Sequence, residues 1–80
     1  MKWFYVIAII NAHDYFIFDT YNTYIVRARN EREAFGRLGT IPRLVDVDEI
    51  KEINEPSARA LIASNRNVVY NEFVTQIIMY

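Results

Sequence analysis

The amino-acid sequence predicts an α+β fold: an antiparallel or mixed four-stranded sheet in the order strand, strand, helix, strand, helix, strand, with an extra C-terminal strand as a variant and two helices on one face. Three observations carry this expectation. The runs Trp3 to Ile10 and Val68 to Tyr80 are rich in aromatic and β-branched residues, which favour extended backbone. The stretch Tyr24-Ile-Val-Arg-Ala-Arg-Asn-Glu-Arg-Glu-Ala34 changes its hydrophobic period midway, from alternation to helical spacing. Finally, 80 residues without a cysteine make one domain, residues 1–80, held together by a hydrophobic core and no disulfide.

In chain order, Trp3 to Ile10 carries apolar residues in both alternating sets, so it reads as a central strand or one covered on both faces. Asn11 to Asp14 bounds it. Tyr15 to Phe18 and Asp19 to Thr23 then lead into the strand Tyr24 to Arg29. We expect one long strand with a bulge near Asp19 to Asn22, hairpin-paired to the first; a wide loop at Tyr15 to Phe18 is the alternative.

Asn30 suits a helix N-cap, with its side chain accepting from the Glu33 N–H while the Glu33 carboxylate reaches back to the Asn30 amide. The helix should stop near Gly39 in a left-handed conformation. Gly36, inside it, should cost about 1 kcal/mol relative to Ala and would allow close approach to the sheet beside Phe35. Pro42 blocks continuation. Leu44 to Asp48, or slightly beyond, alternates like an exposed strand, although Val47, Ile50 and Ile53 would also suit a short helix capped at Asp46. Glu55-Pro56-Ser57 opens a second helix with an Ala58, Leu61, Ile62 stripe, ended by Ser64 to Asn67. One or two strands follow, with a break at Asn71-Glu72.

Composition narrows the function. The single His13 and the lack of Cys leave no histidine or thiolate metal site, and His13 beside Asp14 is a poor catalytic pair because adjacent turn residues seldom point together. Asp46, Asp48 and Glu49 do not match the twelve-residue calcium loop, and Gly36 and Gly39 do not make a phosphate loop. The sequence therefore predicts no catalytic residues, no metal, no cofactor and no enzyme. The apolar run Trp3 to Ile10 is too short to span a bilayer and lacks secretory-signal features, so no membrane association and a cytoplasmic location are expected.

Net charge is −1, yet it is unevenly spread. Arg27 to Arg43 holds five Arg against two Glu, whereas Asp46 to Glu55 holds five carboxylates against Lys51. Such blocks either pair with each other or form faces for partners. The chain also carries seven Arg to two Lys and six Tyr, residues that often dominate protein interfaces. A protein partner is the first expectation, met by Asp46, Asp48, Glu49, Glu52 and Glu55. A nucleic-acid-binding module using Arg27, Arg29, Tyr15 and Tyr21 is the alternative, weakened by the absent RNA-recognition signature and the acidic balance. The apolar terminus at residues 73–80 suggests homodimerisation through a C-terminal strand edge.

Residues 3–53, with Tyr24 to Ala34 followed by Val-Asp-Val-Asp-Glu-Ile-Lys-Glu-Ile, resemble the strand, strand, helix, strand core of very small phage-encoded proteins, several anti-CRISPR families among them. The resemblance implies a non-enzymatic inhibitor in the host cytoplasm. It would bind a CRISPR–Cas effector, or another host nucleoprotein complex, and occlude a nucleic-acid-binding or nuclease surface. It assigns no residue a role.

Overall fold

Alternation along the first strand sets the architecture, because consecutive side chains point to opposite faces and here both sets are apolar. Phe4, Val6, Ala8 and Ile10 go to one face, Trp3, Tyr5, Ile7 and Ile9 to the other. In the computed structural model, which describes residues 1–11 and 19–79, strand β1 (Lys2–Asn11) accordingly lies between β2 (Asp19–Ala28) and β3 (Leu44–Ile53). The sheet is completed by β4 (Arg66–Val69) and β5 (Val74–Ile78), in the order β3-β1-β2-β5-β4, and every described pairing is antiparallel. The fold class is α+β, with five strands and two α-helices among the described residues, α1 (Glu31–Arg37) and α2 (Glu55–Ser64).

The two helices do not share a face. On the first face, Phe4, Val6, Ala8, Tyr24, Val26 and Val74 form one core with Ala34 of α1 and with Leu38 and Ile41 just after it. On the second, Ile25 and Ile77 pack with Ala58 of α2, flanked by Trp3, Tyr5, Ile53, Leu61 and Ile62. The physical reason is already present in β1: both its sides are apolar, and α1 has only seven residues, about 10 Å of helix, so one face alone would leave the other wet.

Local chemistry fixes α1. The Asn30 Oδ1 accepts the Glu33 N–H at 2.8 Å, as a cap should. The reciprocal bond is shifted by one residue: Glu33 Oε1 accepts from the Arg29 N–H at 3.1 Å, not from Asn30. At the other end Arg37 locks the helix to the sheet, pairing with Glu33 at 2.9 Å, donating to the Arg27 carbonyl and stacking 3.6 Å over the Phe73 ring. Neither glycine behaves as expected. A Cβ on Gly36 would meet nothing within 4 Å, so it eases no approach to the sheet, and Phe35 is 56% exposed. Gly39 sits in a short 3₁₀ turn, Leu38–Thr40, without positive φ. Among the described residues the left-handed one is Arg43, at φ 62°, where the chain turns into β3 and the Arg43 carbonyl accepts from the Asn11 N–H at 3.1 Å.

Strand β3 resolves the strand-or-helix ambiguity. Its partners on β1 skip from Glu49 to Val47 and from Asp46 to Leu44, so Asp48 and Val45 are extra residues in bulges. Each bulge stretches the repeat from two residues to three, so Leu44, Val47 and Ile50 are half-buried on the first face, while Ile53, beyond the last bulge and opposite Trp3, turns to the second. The helix-like spacing from Leu44 to Ile50 is thus the imprint of two bulges, and the strand continues to Ile53. No bulge occurs at Asp19 to Asn22, since β2 keeps register with β1 from Asp19 opposite Asn11 to Ala28 opposite Lys2. The expected strand start at Tyr15 to Phe18 lies outside the described residues.

Helix α2 begins as expected, with the Asn54 side chain accepting the Ser57 N–H at 2.8 Å and Pro56 in the first turn. Asn65 and Asn67 donate to the Leu61 and Ile62 carbonyls at 2.9 and 3.0 Å, closing its C-terminus. The C-terminal region is two strands, and the break falls at Asn71, whose Oδ1 accepts the N–H groups of Phe73 and Val74. Strand β5 is therefore interior, between β2 and β4, and among the described residues the edge on that side is β4, not the edge expected at residues 73–80.

Two stability predictions follow from these contacts. Gly36→Ala fills open helix surface and should raise unfolding free energy by about 1 kcal/mol in urea titration. Tyr24 is 1% exposed, and burial pushes its hydroxyl from 10.0 to about 12. Because the folded chain holds this proton more tightly, its contribution is complete below pH 10 and lost as pH rises toward 12. Tyr24→Phe should flatten that alkaline loss in thermal melts.

Candidate protein-binding edge

The carboxylates singled out in the sequence fall on one border of the sheet, because β3 pairs with β1 on one side and with no described strand on the other. Within that border the structure separates them. Glu55 belongs to the first turn of α2, where its Oε1 accepts from the Arg59 Nε at 2.8 Å. Glu52 lies opposite Phe4 and pairs with Lys2 at 3.4 Å, an exposed contact that contributes little. Asp46 and Glu49 stand opposite Ile9 and Ile7, on the second face, and Asp48 occupies the bulge between them. All three are exposed, and among the described residues none forms an ion pair. The Asp46 Oδ1 accepts the Val47 N–H at 2.7 Å, which holds that carboxylate close to the backbone.

Asp46, Asp48 and Glu49 are thus one acidic patch within about 10 Å of strand, and the bulges aim its members out of the regular pleat. Val45, the other bulged residue, is 56% exposed beside it. An apolar side chain at the border of an acidic patch was missed in the sequence; the adjacent pair Leu44-Val45, which breaks the alternation, was its signal.

The alternative nucleic-acid set is not assembled. Arg27, opposite Trp3, lies with its guanidinium 4.9 Å from the indole centroid, and Arg59 of α2 lies 5.5 Å from the same ring. Tyr21 shares that face but is six residues along β2, about 20 Å away, with buried Ile25 between them. Arg29, just ahead of the α1 N-cap, is instead tied to that helix, bound to Glu33 by a 2.8 Å Nε hydrogen bond and a 2.7 Å ion pair. Tyr15, His13 and Asp14 lie outside the described residues.

Among the described residues no cavity is detected, no group of three His, Cys, Asp or Glu could hold a metal ion, and no helix is long and apolar enough to cross a membrane. No family model, curated protein or solved structure matches the chain.

Glu33 yields a pH test of the Arg29 assignment. Hydrogen bonds from the Arg29 side chain and backbone hold its carboxyl below the usual range. The unfolded chain then takes up this proton first as pH falls, so the contribution is full above roughly pH 4.3 and fades below it. Glu33→Gln should make the urea midpoint less sensitive to pH between roughly 3 and 5, and a variant with unchanged acid sensitivity would contradict the contact.

Proposed function

We propose that the chain is a non-enzymatic inhibitor acting in the host cytoplasm, which binds a CRISPR–Cas effector or a similar host nucleoprotein complex and occludes a basic nucleic-acid-binding or nuclease surface. The observation that carries this reading is the patch of Asp46, Asp48 and Glu49 on an exposed sheet edge, without ion-pair partners among the described residues. Arg and Lys side chains arranged for phosphates also accept carboxylates through charge-assisted hydrogen bonds. Three such groups on a rigid strand reproduce a short row of negative charge. Bulged Val45 adds an apolar contact at the same border. Attraction of this kind speeds encounter and weakens as salt shortens the Debye length.

The competing explanation is protective. Charges and bulges on an edge strand discourage pairing with other chains, and such a role needs no target. The two readings separate in one experiment: DNA cleavage by purified Cas effectors of several types, with the wild-type chain and with the charge-reversed D46K/D48K/E49K triple variant. Inhibition of at least one effector by the wild type, weakened at least tenfold by the variant, about 1.4 kcal/mol, is the expected result. Equal inhibition by the folded variant removes the acidic edge from the mechanism, and no inhibition of any effector removes the CRISPR-directed reading.

A further inference from the structure

The opposite border of the sheet has a different character. Among the described residues strand β4 pairs with β5 alone, and all four of its residues are exposed, Val68 at 45% and Val69 at 67%. It is short and has one charged residue, Arg66 at its start, but it contains no proline and no bulge, two of the devices that blunt a strand edge. Its backbone is also in a definite phase. The Tyr70 N–H donates to the Val74 carbonyl at 2.9 Å. Counting back two residues at a time along an antiparallel ladder, Val68 and Arg66 direct their N–H and C=O groups toward β5. Those of Asn67 and Val69 then point away from the sheet.

We propose that β4 pairs with β4 of a second copy of this chain, antiparallel about a two-fold axis at Val68. Outward-pointing groups must meet outward-pointing groups, so Asn67 of one copy exchanges both backbone hydrogen bonds with Val69 of the other, and the symmetric pair doubles the set. The same register places Val68 against Val68 and Arg66 against Tyr70. It opposes no like charges, and it brings a guanidinium beside an exposed phenol ring on the first face, where Tyr70 already packs on Tyr24 at 5.9 Å between ring centroids. A second copy suits this edge because β4 is complementary to itself. The acidic edge is not: β3 pairing with β3 would bring carboxylates together across two bulges. The inference is independent of the proposed target.

The test uses the absence of cysteine from the chain. In the proposed register the two Val68 residues form a non-hydrogen-bonded pair, with Cα atoms about 4.5 Å apart, within disulfide reach. Val68→Cys treated with diamide should cross-link to a dimer at least tenfold faster than Val45→Cys, an exposed position on the other edge. Wild-type sedimentation should show the mass doubling as concentration rises. Val69→Pro, which removes only an outward N–H, and Val68→Lys, which opposes two charges, should both remain monomeric with an unchanged circular dichroism spectrum. A wild-type monomer up to millimolar concentration, or cross-linking at Val68→Cys no faster than at Val45→Cys, overturns the proposal.

Discussion

The structure depends on one strand that is apolar on both sides. Strand β1 sends Phe4, Val6, Ala8 and Ile10 into one core and Trp3 and Tyr5 into another. Eighty residues are few for two cores, and the chain meets the demand with one short helix per face. Burial on the first face rests on the sheet's own side chains, with Ala34 and Leu38 as the contribution of the α1 segment. Ala58 makes the second contact in the same way, a small residue that lets a helix sit close to Ile25 and Ile77. The arginines at helix and strand ends serve this arrangement. Arg37 binds Glu33, the Arg27 carbonyl and the Phe73 ring, so a long cation covers the side of a core that the short helix leaves open.

Much of this was legible in the residues, for reasons that can be named. Asn30 marks the first helix start because its short side chain reaches a backbone N–H three residues on, and Glu55-Pro56-Ser57 marks the second because proline fits a first turn, where the structure adds Asn54 as the cap. The period change at Tyr24 to Ala34 marks the strand-to-helix junction because the two backbones place successive side chains at different angles. Other features could not be read in this way. A bulge changes the repeat of a strand without changing its composition, so Leu44, Val47 and Ile50 fell at helical spacing while remaining extended, and Ile53 joined the series only by packing on the other face. The side of the sheet on which each helix packs is a property of connections between elements, and no local spacing encodes it. Strand order is similar: β5 looked like an edge as the last element in sequence, but the turn at Asn71 folds β4 outside it.

The candidate site was legible in type more than in extent. Five carboxylates close in sequence suggested one face, and the fold keeps three of them together. Glu55 was lost because the chain leaves β3 at Ile53 and enters a helix, where an arginine four residues on meets it. Glu52 was lost because antiparallel pairing brings Lys2 alongside, a neighbour fifty positions away in sequence. The arginine set failed for the same reason in reverse. Arg27 and Arg29 alternate in phase, but β2 ends at Ala28, and beyond it Arg29 follows the capping geometry of α1 instead of the pleat.

The two borders of the sheet divide the surface between tasks that would conflict on one edge. Strand pairing needs outward backbone groups in regular phase and side chains that tolerate their own copies, which β4 supplies through Asn67, Val68 and Val69. Electrostatic docking needs like charges close together, and these repel a symmetric copy, as on β3 at Asp46, Asp48 and Glu49. With β3 and β4 at opposite ends of the order β3-β1-β2-β5-β4, joining two chains through β4 leaves both acidic edges outermost on a ten-stranded sheet. Nine strand spacings separate them, about 43 Å before twist, far beyond the screening length of physiological salt. The two patches would therefore not oppose dimerisation, and a dimer could engage two basic surfaces at once, gaining avidity only where their separation matches that span.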